Sequence, residues 1–334
     1  MWLRYLACAL IAGCLCISVG APVSKAENIV TQNAGPAKRV TVSADGRADF
    51  RTIQQAIDHA PEYGDGRLVI AIQPGTYRER LVVPQDRPRV TLLGLGKNPA
   101  ETVITYKMSA AAAGGTFLSS TVDVEGSEFE ANNLTFENSY GAGSQAVALT
   151  MHSDRAVLRH CRLIGWQDTL YAATGRQYYD DCYIEGAVDF IFGNARAVFH
   201  DCEIRSVGAG YVTAQSRTTS DGPYGFVFDH CRLTAAEGVS NVYLGRPWRP
   251  YARVIFLDTE MGPQIEPAGW REWHPGETHS LDTSFYAEYD SSGPGGSRSL
   301  REPHTRFLTE SEAKQFITKV FLGGPDGWDP TANH

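Results

Sequence analysis

Two aspartates, Asp168 and Asp189, are the residues of this chain whose placement could do chemistry. Each follows the same short phrase: His160-Cys161-Arg162-Leu163-Ile164-Gly165 precedes the first, and Asp181-Cys182-Tyr183-Ile184-Glu185-Gly186 precedes the second. The cysteines stand 21 positions apart, the aspartates also stand 21 apart, and each aspartate lies seven residues after its cysteine. A fixed period of about 20 residues with strand-like cores predicts a stack of coils in which equivalent positions sit one above the other. The two carboxylates then become vertical neighbours, at roughly the 4.7–4.9 Å strand spacing of a sheet. Like charges that close do not both ionise freely at neutral pH. One carboxyl keeps its proton while the other stays anionic, which places an acid beside a base or nucleophile. The competing reading is a pair of solvated aspartates at coil corners, the ordinary fate of charged residues. The flanks weigh against it: Gly165-Trp166-Gln167-Asp168-Thr169-Leu170-Tyr171 and Gly186-Ala187-Val188-Asp189-Phe190-Ile191-Phe192-Gly193 are apolar and aromatic, so desolvation widens the split.

The elements that must hold this pair follow from the same repeat. The phrase recurs at Cys202, at Cys231 and, with Thr259 in the cysteine slot, at Asp258-Thr259-Glu260-Met261; Asn132-Asn133-Leu134-Thr135-Phe136 marks an earlier coil. From Leu134 onward the gaps are 27, 21, 20, 29 and 28 residues, so short gaps are bare coils and long ones carry loops. Further strands are predicted at Val40-Thr41-Val42, Leu68 to Ile72, Leu81 to Val83 and Val90 to Leu93, divided by a turn at Asp45-Gly46 and by Pro74-Gly75, Pro84 and Gly94. They are brief and apolar, with no helices of βαβ length between them. That pattern predicts one all-β domain over residues 39–330, a parallel β-helix rather than a sandwich. Phe50, Ile53, Ala56, Ile57 and Ala60 keep a helical period stopped by Pro61, the short amphipathic helix expected to cap the open N-terminal end. Near the other end, Thr309-Glu310-Ser311-Glu312 is a capping box that should open a helix running through Val320, with Gly323-Gly324 beyond it.

Composition limits the remaining possibilities. At 43% hydrophobic and 20% charged, the 334 residues are ordinary globular material. Residues 1–26 read as a signal peptide, with Arg4 before the apolar run Tyr5 to Val19 and a cut after Ala21 or Ala26. That run is too short for a membrane span. The protein is therefore expected to be secreted, or, since Ile11-Ala12-Gly13-Cys14 resembles a bacterial lipobox, anchored through Cys14. Residues 27–38 read as a loose polar segment. Removing residues 1–26 takes away two cations and no acid, which moves the formal charge from −8 to −10; nothing here forms a basic patch for nucleic acid. Cys161, Cys182, Cys202 and Cys231 remain outside the leader. An even count in an exported chain allows disulfides, but their common Cys-x-Leu/Ile context favours a stack of buried thiols. His160, His200 and His230 precede their cysteines by one or two places. They could suggest a metal ladder, but stacked polar residues at coil turns explain them more simply, and no metal is expected.

Five motifs, the two aspartate segments among them, carry a resemblance. Gly75-Thr76-Tyr77-Arg78-Glu79, Gln145-Ala146-Val147-Ala148-Leu149, the two aspartate segments, and Leu244-Gly245-Arg246-Pro247-Trp248 resemble, in order and spacing, the motifs of pectin methylesterases. The likeness spans about residues 39 to 330 and extends to Gly269-Trp270, Phe285-Tyr286-Ala287-Glu288-Tyr289 and Gly327-Trp328-Asp329-Pro330. It implies a single-stranded right-handed parallel β-helix that hydrolyses the C6 methyl ester of galacturonate in pectin, without metal or cofactor, as a monomer. By position, Asp189 becomes the nucleophile and Asp168 the acid, then base. Gln167 and Gln145 become amides for the oxyanion and substrate, and Arg246 holds Asp189 ionised. Trp248 becomes a sugar platform and Thr121 a substrate contact; Tyr171, Phe190 and Trp166 are candidate substrate-facing aromatics, with core filling the competing reading and Phe190 evenly placed between the two, because aromatics serve cores and sugar faces alike. Two departures are visible: Ala187 stands where the family often has Thr, and Trp166 where it often has Tyr or Phe.

The residue types suit acyl transfer. A carboxylate nucleophile needs a proton source for the departing alkoxide and neutral donors where negative charge develops. An arginine beside one aspartate lowers that pKa and leaves the proton on the other. Three rivals remain at this stage. A glycoside hydrolase could use the same two carboxylates but needs no oxyanion donors; a calcium-dependent lyase would require an acidic metal cluster; a sugar-binding protein without catalysis would not need the full set. An acidic enzyme facing a polyanionic product should prefer highly methylated pectin.

Overall fold

The computed structural model describes residues 37–332, apart from 275, 277 and 278. The expected leader, Cys14 and nearly all of the segment 27–38 lie outside the described residues. The strands assemble into three parallel sheets of eleven, eight and seven strands. From Leu68 to Gly245 each coil contributes one strand to each sheet in turn. The coil bearing the first aspartate runs Ala156–Arg159, Arg162–Ile164 and Leu170–Ala172 before Arg176–Asp180 rejoins the first sheet. One period along the chain becomes one step across a sheet: Leu163 pairs with Ile184 and Leu170 with Ile191. This is the expected parallel β-helix. The strands Gly75–Arg78 and Thr102–Tyr106, not foreseen from sequence, pair with each other in the eight-stranded sheet.

The repeated phrase has a backbone cause. The residue ahead of each inward slot occupies the left-handed region: Asn133, His160, Asp181, Asp201, His230 and Asp258 have φ of 56°, 50°, 48°, 51°, 55° and 46°. Asn, Asp and His enter that region more readily than other side chains. The next residue, in order Leu134, Cys161, Cys182, Cys202, Cys231 and Thr259, is buried in the interior. The four cysteines are free thiols, as their shared context predicted. Their imidazole neighbours find carboxylates: His160 pairs with Asp181 at 2.7 Å, His200 with Asp180 at 2.9 Å and His230 with Asp229 at 2.7 Å.

Inside the helix, Tyr179, Phe199, Phe228 and Phe256 stack with successive centroid distances of 4.7, 4.6 and 4.7 Å. The alternate residues of the same strands, Tyr178, Val198, Val227 and Ile255, face outward under Phe316, Phe321 and Leu322 of the C-terminal segment. Both faces are covered here, so the centres of these strands, such as Ala197-Val198-Phe199, Phe226-Val227-Phe228 and Val254-Ile255-Phe256, are apolar on both sides rather than alternating.

The ends are closed differently. At the start, helix Ile53–His59 buries Ile53, Ala56 and Ile57, and the Glu79 carboxylate accepts from its first amides, Ile53 and Gln54, each at 3.0 Å. At the far end Glu288 occupies the register position next to Phe256. Its buried carboxylate receives Arg301 Nε at 2.7 Å and Nη2 at 3.2 Å. The capping box at Thr309 and Glu312 forms as expected, but the single helix through Val320 does not. Two short helices, Glu310–Ala313 and Thr318–Leu322, stand there, interrupted at Ile317 in extended conformation. Phe316 and Phe321 are five residues apart, roughly 140° around a continuous helix at 3.6 residues per turn. The break lets both reach the sheet.

Candidate active site

The site lies on the seven-stranded sheet, where the chain enters it from the eight-stranded one. Asp168 stands two residues before strand Leu170–Ala172 and Asp189 two before Ile191–Gly193. Gln167 and Val188 form a parallel bridge, and the Asp168 amide donates to the Val188 carbonyl at 3.1 Å. The two aspartates therefore occupy equivalent corners of adjacent coils, as the spacing predicted. Both corners are left-handed, with φ of 63° at Asp168 and 51° at Asp189. That conformation costs a side-chain-bearing residue about 1–2 kcal/mol. Here the paired coils on either side hold it.

Both carboxylates are buried, at 8% and 5% residual exposure. Asp168 accepts no side-chain hydrogen bond among the described residues, and its pKa is pushed up to about 8, by burial first and by the charge of Asp189 second, with Arg246 opposing. Asp189 is different. Arg246 Nε donates to its Oδ1 at 2.9 Å and Nη2 to its Oδ2 at 2.6 Å, a two-pronged contact. Burial still holds Asp189 above the usual carboxylate range, but the guanidinium works against that shift. The asymmetry assigns the proton: Asp168 carries it and Asp189 is the anion.

Arg246 follows strand Val242–Gly245, which is separated from Ile191–Gly193 by the intervening strand Gly210–Gln215. Its preceding glycine is required by close approach. A Cβ on Gly245 would come within 2.0 Å of Thr213 Oγ1.

A cavity of about 220 Å³ opens over these groups, lined by Gln145, Gln167, Asp168, Asp189, Arg246 and Trp248 together with Thr116, Phe117, Phe192, Ala214 and Trp273. Gln145 and Gln167 are half-buried, and among the described residues neither carboxamide is engaged by a protein side-chain hydrogen bond. Both are free to donate to an oxygen in the cavity. Tyr171 does not itself line the cavity but packs against two rings that do, stacked on Phe192 at 4.7 Å and against Phe117 at 4.8 Å.

Three further expected contacts lie elsewhere. Thr121 is fully buried and its hydroxyl donates to the Glu137 carbonyl at 2.8 Å, which leaves nothing for a substrate. Phe190 is wholly inside the coil, because the left-handed corner at Asp189 turns the following side chain inward. Trp166 is half-buried beside Gly208 and does not line the cavity.

Phe192 was missed although it carried a signal: it lies 21 residues after Tyr171, the same period, and the two are register partners. Phe117 sits in the short 3-10 helix Thr116–Leu118 and Trp273 in a loop, where no period operates.

The pectinesterase family profile matches residues 39–325. Pectinesterase 31 of Arabidopsis thaliana is 40% identical over 296 residues, covering 85% of this chain and 92% of its own length. A pectinesterase of Petunia integrifolia is 36% identical over 316 residues, covering 90% of this chain and 83% of its own. Among solved structures, the pectin methylesterase from carrot superposes with a TM-score of 0.81 at 35% identity, covering 89% of this chain and 96% of that one. The pectin methylesterase PemA from Erwinia chrysanthemi gives 0.76 at 30% identity, covering 89% and 99%. A buried carboxyl pair split by one arginine, set on a parallel β-helix matched along nearly its whole length, places this chain in the pectinesterase family, the hydrolases that remove methyl esters from pectin.

Proposed function

We propose that Asp189 is the nucleophile and Asp168 the acid and base of pectin demethylation in this enzyme. The observation that carries the reading is the unequal pair: Arg246 clasps Asp189 alone, and Asp168 beside it is pushed up to about 8. In the first half-reaction an Asp189 oxygen bonds to the ester carbonyl carbon. The C–OCH₃ bond breaks as the Asp168 proton passes to the departing methoxide, giving methanol and an acyl anhydride on Asp189. Gln145 and Gln167 donate to the carbonyl oxygen as it gains charge. Their neutrality matters, since a cation there would pull the proton off Asp168. In the second half-reaction the now anionic Asp168 takes a proton from water. The hydroxide attacks the same carbon, the bond to Asp189 breaks to restore its carboxylate, and galacturonic acid leaves and gives up its proton to solvent as galacturonate. No step calls for a metal or cofactor. Trp248 offers an aromatic face to the sugar rings.

We further propose that the protein acts outside the cell as a monomer on methylated homogalacturonan. No helix among the described residues is long and apolar enough to cross a membrane. A pectin methylesterase has been solved in complex with a hexasaccharide, at 30% identity to this chain.

The deciding experiment is methanol release by Asp189→Ala and Asp168→Asn. Asp189→Ala should lose activity by at least about 10³-fold and Asp168→Asn by about 10²–10⁴-fold, with folding unchanged. Turnover by Asp189→Ala at the wild-type rate would overturn the assignment.

A further inference from the structure

Arg246 must reach past a whole coil to meet Asp189, and that coil supplies Tyr211. The Tyr211 amide donates to the Ala187 carbonyl at 3.0 Å, which ties strand Gly210–Gln215 to the corner just before the nucleophile. The Arg246 guanidinium carbon lies 4.1 Å from the centroid of the Tyr211 ring and 4.1 Å from that of Trp273. Both rings therefore cover the cation. Its third nitrogen, Nη1, donates to the Trp273 backbone carbonyl at 3.3 Å.

A long arginine side chain has several rotamers, and two carboxylates stand within its neighbourhood. A guanidinium that swung toward Asp168 would lower that pKa and remove the proton the leaving group needs. Aromatic faces attract a cation and exclude water from it, and a planar guanidinium stacks between rings in one orientation.

We propose that Tyr211 and Trp273 are positioning residues, a ring clamp that fixes the Nε–Nη2 edge of Arg246 on Asp189 and so keeps the nucleophile ionised. This rests on Asp189 being the nucleophile. Neither ring needs to touch a reacting atom, and Tyr211 does not line the cavity. The ring face, not the phenol hydroxyl, is the working part.

The test compares Tyr211→Leu with Tyr211→Phe by the pH profile of kcat/KM for methanol release, whose limbs report ionisations of the free enzyme. Removing the ring weakens the hold of Arg246, so the Asp189 pKa rises and the acid limb moves to higher pH. Tyr211→Leu should shift that limb up by about one pH unit, a tenfold loss of kcat/KM on the acid side, with KM near wild type. Tyr211→Phe should restore the wild-type profile. An unmoved acid limb in Tyr211→Leu, or an equal shift in Tyr211→Phe, overturns the clamp. If Tyr211→Leu proves unfolded by circular dichroism, Trp273→Leu decides by the same limb: an upward shift supports the clamp and an unmoved limb overturns it. Asp189→Ala runs alongside. If it keeps turnover, the nucleophile assignment itself fails; if it is dead while the acid limbs of the ring variants do not move, only the clamp fails.

Discussion

At the scale of single residues, the site works by making two identical side chains unlike. Burial raises both carboxyls; only one receives Arg246. The consequence for stability has a definite sign. Asp168 is neutral when folded up to about pH 8, whereas in the unfolded chain it ionises near its ordinary value of 3.8. Its raised pKa contributes stability that is fully present below that ordinary value and is lost as pH rises toward 8. Asp168→Asn removes this burden while keeping shape. Its thermal midpoint should exceed that of the wild type by a few degrees at pH 8, and the difference should vanish near pH 4. A midpoint difference independent of pH would contradict this. The types at the site were legible because chemistry constrains them: Asp168, Asp189, Gln145, Gln167 and Arg246 all line one cavity. Phe190 and Thr121 were misplaced because an aromatic or a hydroxyl serves a core as well as a surface, and only the corner geometry shows which way it turns.

At the scale of elements, the period carried most of the information. An inward slot stacked on its neighbours cannot shift without burying a polar group, so Leu134, Cys161, Cys182, Cys202, Cys231 and Thr259 stay in register through loops of different length. The left-handed residue before each slot explains why Asn, Asp and His recur there, which the letters alone presented only as a phrase. Loops obey no such rule, so Trp273 had no sequence signature despite its place against Arg246. The C-terminal helix was overextended because periodicity does not reveal that two phenylalanines must meet one sheet. That end holds a buried ion pair, with Arg301 and Glu288 side chains 1% and 0% exposed. Arg301→Leu leaves the carboxylate buried without its partner and should destabilise the fold by about 3–5 kcal/mol, read by urea unfolding. The double variant Arg301→Leu with Glu288→Met should recover much of that loss. A single variant as stable as wild type would show that the pair does not hold the end.

At the scale of the whole molecule, charge meets substrate. The chain carries a formal charge of −8, and its product is more anionic than its substrate. Repulsion should therefore grow as demethylation proceeds. At low salt, initial rates on sparsely methylated pectin should fall well below those on highly methylated pectin at equal ester concentration, and salt should narrow the gap. Equal rates at low salt would contradict this.

The β-helix brings the pieces together by repetition: one period delivers two aspartates to neighbouring corners, and the coils beyond deliver the arginine that distinguishes them. The most direct measurement is a pH titration of carboxyl ¹³C shifts in aspartate-labelled enzyme, assigned with Asp168→Asn and Asp189→Asn. Asp168 should titrate last, near pH 8, with Asp189, held by Arg246, ionising before it. An Asp168 carboxyl that is ionised at pH 6, or an Asp189 that holds its proton longer, would contradict it.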